Sequence, residues 1–278
     1  MKYFGAHVSI AGGLFQAADR AKELAATGFA MFTKNQRQWR APAITDEEAT
    51  LFQAHLKTAG IPAEGVLPHD SYLINLGNPD ADKRKNATAA YIAELQRVEQ
   101  LGLKYLNFHP GSGLGAGLED TLSAIAEAIR LALAETSTVI PVIENTAGQG
   151  NCTGKSLEEL QKLLDLVNDN RCGICIDTCH AYAAGIDLAS EEGYASFWDE
   201  FSQRIGFHRL KGMHLNDTNS LLGSHLDRHA PLGEGRLGWA LFDRLAADPR
   251  LDGFPMIVET PEPEKWSSEI ARLKSHTS

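Results

Sequence analysis

The stretch GICIDTCH, residues 173–180, opens with four small or apolar residues in a row and closes on an acid and a histidine. An apolar run of this length without polar alternation suits a strand covered on both faces, as in a parallel sheet. Seven further segments share the pattern: YFGAHVS from Tyr3, FAMFTKN from Phe29, IPAEGVLPHD from Ile61, YLNFHPG from Tyr105, VIPVIENT from Val139, GMHLND from Gly212 and PMIVETP from Pro255. Helical periodicity fills the gaps, in Leu122, Ile125, Ile129 and Leu133, in Leu160, Leu163, Leu164 and Val167, and in Tyr194, Phe197, Trp198, Phe201 and Ile205. Thr45 with Glu48 and Ser156 with Glu159 have capping-box spacing, and Gly60 and Gly102 stand where helix C-caps belong. Strand and helix thus alternate eight times in 278 residues, close to the ~250 typical of a closed (β/α)8 TIM barrel. An α/β barrel is therefore expected, with its active site at the C-terminal ends of the strands; an open doubly wound sheet is the alternative. No linker or low-complexity tract divides the chain, so residues 1–278 are expected to form one domain.

Composition narrows the classes of function. With 43% hydrophobic residues the chain can bury a large core, yet no run approaches eighteen apolar residues, which excludes an apolar membrane span. The opening MKYFGAHVSIAGG lacks the segments of a signal peptide, so a cytoplasmic location is expected. Cysteines stand at positions 152, 172, 175 and 179. Cys172 and Cys175 have C-x-x-C spacing with no second pair at zinc-ribbon distance, and reduced core thiols are expected. The net charge of −10, with DKRK at 82–85 as the densest basic stretch, argues against bulk electrostatic coating of a phosphate backbone. Nucleic-acid binding would need a local site whose positive charge does not come from Lys and Arg alone.

Such a site is available where the strands end. The third segment ends in His69, the fourth in His109, the fifth in Glu144, the sixth in Asp177 followed by His180, the seventh in His214 and the eighth in Glu259; DRH at 227–229 adds Asp227 and His229 from the loop after the seventh. A barrel makes these nine residues converge. Without cations, four carboxylates and five imidazoles packed together would suffer carboxylate repulsion and costly desolvation, which would push the carboxylates toward protonation. Divalent cations remove the conflict, and a donor set of imidazole and carboxylate, rich in His, favours zinc. Nine ligands exceed what one or two ions need, and three Zn2+ (+6) with four carboxylates (−4) leave +2, an anion site within an acidic protein. Loops KNQRQW (34–39) and HDSYLINLGNP (69–79) place Arg37, Trp39, Tyr72 and Leu73 on the same rim, where they suit phosphate contacts and wedging into a base stack. The glycine-rich SIAGGL and HPGSGLGAG match neither a P-loop nor a dinucleotide fingerprint.

The sequence resembles the endonuclease IV family of zinc-dependent apurinic/apyrimidinic endonucleases. The resemblance rests on GAHVSIAGGL, FTKNQRQWR, LPHDSYLINLG, LNFHPGS, VIENTAGQG, CIDTCHAYAAG, GMHLND, DRHAPLGEG and IVETP, in family order over essentially the whole chain. It departs from the family pattern at Thr218 and Asn219 after HLND and at the end of GQGNCTG, neither of which is in the nine-residue set.

The resemblance implies a trinuclear zinc site: one ion on His69, His109 and Glu144, a second shared by Glu144, Asp177, His214 and Glu259, and a third on His180, Asp227 and His229. It implies that Arg37, Tyr72 and Leu73 enter abasic duplex DNA and turn the base-less sugar into the metal pocket. The implied reaction is hydrolysis of the phosphodiester 5′ to the abasic site, leaving a 3′-hydroxyl and a 5′-deoxyribose phosphate, with Glu144 and Glu259 as catalytic carboxylates and trimming of blocked 3′ ends beside it. No membrane and no obligate protein partner are expected. Two alternatives stay open at this level. A sugar isomerase or epimerase of a related barrel class would use only Glu144, Asp177, His214 and Glu259, and a non-catalytic lesion binder would keep its metals as structural elements.

Overall fold

The computed structural model describes residues 1–276. Eight parallel strands form the barrel: β1 (Tyr3–Ala6), β2 (Phe29–Phe32), β3 (Val66–His69), β4 (Tyr105–Phe108), β5 (Ile140–Glu144), β6 (Gly173–Asp177), β7 (Leu210–Leu215) and, last in the chain, β10 (Pro255–Val258). Their order is β1-β10-β7-β6-β5-β4-β3-β2. Beyond the named strands, His7 bridges Ala30 in parallel, with Val8 N donating to Ala30 O at 2.9 Å, and this link closes the ring between β1 and β2. Helices follow the strands: α1 (Gln16–Glu23), α2 (Asp46–Ala59), α3 (Ala81–Gln100), α4 (Leu118–Ala134), α5 (Leu157–Val167), α6 (Thr178–Ala183) with α7 (Glu191–Arg204), α8 (Gly238–Ala247) and α9 (Trp266–Ser275). A short antiparallel pair, β8 (Asp217–Thr218) with β9 (His229–Ala230), rises from the end of β7. Among the described residues no helix is long and apolar enough to cross a membrane.

Two-sided burial of the strands creates two cores. Phe4, Met31, Val66, Leu106, Ile143, Ile174, Met213 and Met256 pack outward with the helices, whereas Ala30, Leu67, Tyr105, Val142, Cys175 and Ile257 form a separate inner cluster. Side chains two residues apart on a strand share a face. The residue two beyond each inward position therefore emerges at the open end of the barrel: His69 after Leu67, Glu144 after Val142, Asp177 after Cys175 and Glu259 after Ile257. Gly212 plays the inner role on β7, since a Cβ there would meet Leu67 Cδ2 at 2.7 Å, and His214 follows two residues later.

The strands are shorter than the apolar segments suggest. In IPAEGVLPHD the residues Ala63–Gly65 form a 3-10 turn, and pairing with β2 starts only at Val66. Pro62 offers no backbone N–H, and Gly65 lies so close to the neighbouring backbone that a Cβ would stand 3.0 Å from Thr27 O. β7 begins earlier than expected, at Leu210, which pairs with Ile174. Thr45 and Glu48 make a reciprocal capping box on α2, closed by left-handed Gly60. At α5 only half a box forms: Ser156 accepts from Glu159 N, but Glu159 Oε2 turns to Gly154 N at 2.8 Å and thereby braces the loop after β5.

Candidate metal centre

The barrel mouth brings all nine anticipated side chains together. Their ligand atoms fall into overlapping groups, among them His69–His109–Glu144, Asp177–His214–Glu259 and His180–Asp227–His229, with the atoms of each group within 4.8 Å of one another. Glu144, fully buried, lies between the groups. Its Oε2 is 3.3 Å from His69 Nε2 and 3.4 Å from His109 Nε2, while its Oε1 is 3.1 Å from both His180 Nδ1 and His214 Nδ1. His214 Nδ1 also lies 3.3 Å from Glu259 Oε2. Asp227 spans the outer pair, 3.3 Å from His180 Nε2 and 3.1 Å from His229 Nε2.

Backbone carbonyls orient the imidazoles. Asp70 O lies 2.9 Å from His69 Nδ1, Asn145 O 3.0 Å from His180 Nδ1 and Glu259 O 3.2 Å from His229 Nδ1. A ring that donates Nδ1–H to a carbonyl leaves the Nε2 lone pair free, the arrangement that holds metal-ligating histidines. His229 Nε2 is buried and makes no hydrogen bond of good geometry among the described residues, although it lies 3.1 Å from Asp227 Oδ1, so nitrogen and carboxylate face one another as two ligands of one cation would.

Electrostatics point the same way. Burial alone would lower the pKa of His69, but the hydrogen bond and charge of Glu144, helped by Asp70 and Glu259, lift it to about 9. His180 and His214 are likewise raised against burial, chiefly by Asp177 and by Glu259 respectively. Burial opposes ionisation of Glu144 and Glu259 too, yet the histidines hold both carboxyls well below the usual range. The cluster thus requires positive charge, and without cations it draws protons onto its imidazoles. Divalent ions meet the same requirement through the nitrogen and oxygen donors already facing one another, so the residues fit zinc.

A further ring of residues escaped the sequence reading. His7 Nδ1 lies 2.6 Å from Glu259 Oε1, Asn107 donates to Glu144, Asn216 Nδ2 donates to Asp177 Oδ2 at 2.7 Å, and Asn216 Oδ1 accepts from Glu259 N at 2.9 Å. Asn107 stands two residues before His109 on the inner face, a placement visible only once barrel register is known. Cys179 is the buried, free thiol that the sequence predicts, and its Sγ lies 3.7 Å from Asp227 Oδ1 at the edge of the outer group.

The rim residues border this centre. Tyr72 is 65% exposed, yet its ring centroid lies 5.8 Å from that of His69 and 6.4 Å from that of His109. Ser71 Oγ donates to Gln36 O at 2.6 Å and joins the two rim loops, so exposed Arg37 and half-exposed Leu73 stand on one wall. Trp39 lies further along the same loop, also exposed.

Residues 18–276 match the family model of the xylose isomerase-like TIM barrel. Endonuclease IV from Thermus thermophilus is 34% identical, with a TM-score of 0.85 over 99% of this chain and 98% of that one. A 3-keto-D-glucoside 4-epimerase from E. coli (14% identity, TM-score 0.70, 99% of this chain and 100% of that one) and D-psicose 3-epimerase from Clostridium cellulolyticum H10 (16% identity, TM-score 0.65, 99% and 94%) share the fold.

Proposed function

The chain belongs to the endonuclease IV family, within the xylose isomerase-like TIM barrels, and from that premise we propose that it is an apurinic/apyrimidinic endonuclease, hydrolysing the phosphodiester 5′ to abasic sites in duplex DNA. The observation that carries this reading is the set of nine histidines and carboxylates at the barrel mouth, in overlapping groups, with Glu144 within 3.4 Å of four of the histidines. His69, His109 and Glu144 would hold one zinc, Glu144, Asp177, His214 and Glu259 a second, and His180, Asp227 and His229 a third. Bound there, zinc supplies Lewis-acid stabilisation of phosphoryl charge and makes water acidic enough to act near neutral pH.

The remaining work falls to the chain itself. Glu259, held by His7 through one oxygen and by Asn216 through its backbone N–H, orients the attacking water and takes its proton. Glu144, fixed by Asn107, sets the separation of the neighbouring groups. A net site charge of +2 with three ions in place draws phosphate to an otherwise acidic protein. Arg37, Tyr72 and Leu73 enter the base stack from the joined rim loops, and the pocket walled by Tyr72 and the ligand histidines takes the sugar only when its base is missing. The products are a 3′-hydroxyl and a 5′-deoxyribose phosphate, and blocked 3′ ends reach the same centre for trimming. The four free cysteines suit a reducing, cytoplasmic setting.

A nicking assay on a duplex with one abasic site, with both product termini identified, tests the reading. Cleavage on the 5′ side is expected. An intact duplex at stoichiometric enzyme and saturating zinc would rule the activity out, whether the chain proved a sugar epimerase or a silent lesion binder.

A further inference from the structure

We propose that the cavity between the loop after β2 and helix α3 is a nucleotide pocket separate from the metal centre, with the base on Trp39 and the phosphate between Arg40 and Lys83. The cavity encloses about 680 Å3, within the range of roughly 300–1,000 Å3 usual for small-molecule sites. Its floor is made of small residues of α3, Ala89, Ala90 and Ala93, and the indole of Trp39, 46% exposed, stands in its wall. A small-residue floor beneath an exposed indole leaves room for a planar ring.

The wall is prebuilt. Thr33 Oγ1 donates to Glu94 Oε2 at 2.5 Å, and Lys34 pairs with the other oxygen of Glu94. Arg97 donates to Pro42 O at 2.7 Å and to Thr33 O at 2.5 Å. Both ends of the loop are thereby tied to α3, while residues 37–40 stay exposed between them. Lys34 and Arg97 are consumed by these contacts. Arg40 and Lys83 are exposed, and their side chains have no ion pair or hydrogen bond among the described residues. Among the described residues no carboxylate lines the cavity, although the chain carries a net charge of −10. The amide of Asn86 and the Nδ2 of Asn78 complete the lining, while the Asn75 amide is taken up by Ser112 and Gly77.

An exposed aromatic ring, unpaired cations and amides together suit a nucleoside 5′-phosphate. Its source is either a free nucleotide or one unit of a DNA strand. Leu73 lines both the cavity and the rim, so the strand source rests on the proposed DNA reading, whereas binding of a free nucleotide does not.

The test measures binding of fluorescein-labelled hexadeoxyadenylate to the zinc-loaded full chain, with unlabelled dAMP as competitor. The proteins are wild type, Trp39→Ala and the double variant Arg40→Glu/Lys83→Glu, and circular dichroism and metal content verify that each is folded. Wild type is expected to bind, and both variants to bind about tenfold more weakly or worse. Competition by dAMP identifies a free nucleotide as a ligand; without competition, the strand is the source. Absence of binding by wild type, or equal binding by all three proteins, overturns the proposal. Wild type that binds through Trp39 yet never nicks an abasic duplex would leave this pocket standing and overturn the proposed activity instead.

Discussion

Asp217 sets the sharpest structural test of how the outer metal group is held. Its carboxylate is fully buried and accepts five backbone hydrogen bonds: Oδ1 from Thr218 N at 2.8 Å and Leu237 N at 2.9 Å, and Oδ2 from Gly233 N at 2.9 Å, Gly235 N at 3.1 Å and Gly238 N at 3.1 Å. It fastens the loop before α8 to β8, which pairs with the strand carrying His229. In Asp217→Asn the best orientation turns the amide nitrogen toward the two donors at Oδ1 and leaves both unsatisfied. At about 1–3 kcal/mol for each buried group left unpaired, the loss is about 2–6 kcal/mol. For a chain somewhat larger than 250 residues that is on the order of 10 °C in Tm, using roughly 2–4 °C per kcal/mol. Calorimetry of the chelated protein, where ions cannot mask the defect, gives the value, and a metal count on the reloaded protein should show the ion assigned to His180, Asp227 and His229 the most easily lost. A variant that melts within about 2 °C of wild type and keeps all its metal would refute this account of the hairpin.

Other predictions concern the site itself. Glu259→Gln should retain metal and abasic-duplex affinity while single-turnover cleavage falls by roughly 10² or more; survival of the rate would remove Glu259 from its proposed role. Tyr72→Ala and Arg37→Ala should each weaken abasic-duplex binding by about 1–3 kcal/mol in gel-shift titrations, with metal content unchanged, and loss of zinc in either would mean that its loop supports the ligands rather than the DNA. In chelated protein His69 has a pKa of about 9, raised above its ordinary 6.5 by Glu144. Its stabilising contribution is complete below pH 6.5 and disappears as pH rises through 9, so the Tm gap between zinc-loaded and chelated protein should widen over that interval. A constant gap would mean that protons do not take the place of ions there.

Much of the barrel was legible because two-sided burial leaves a direct mark on sequence: GICI, YLNF and PMIV are apolar throughout or nearly so, and each is a strand. Six of the nine candidate donors, His69, His109, Glu144, Asp177, His214 and Glu259, were legible for the same reason, since a His, Asp or Glu closing such a run has only the barrel mouth to occupy, whereas His180, Asp227 and His229 stand beyond the barrel strands. Register was not. Asn107 and Gly212 read as ordinary strand residues until pairing places one against Glu144 and the other against Leu67. His7 meets Glu259 across 252 positions of sequence, a contact created by pairing of the first strand with the last, which no local spacing encodes. Local rules also failed where tertiary demand was stronger, as when Glu159 left its capping box to hold Gly154.

In the proposed enzyme the nine residues at the barrel mouth hold three ions that act together in cleavage. Chelated protein titrated with zinc, with bound metal measured by elemental analysis and nicking of an abasic duplex followed on the same samples, decides between this and fewer ions. The expected result is no cleavage without metal and full activity as occupancy reaches about three zinc ions per chain, the number to which the nine donors are assigned in the proposed site. Full activity at one ion or fewer per chain, or cleavage that persists in excess chelator, would contradict it.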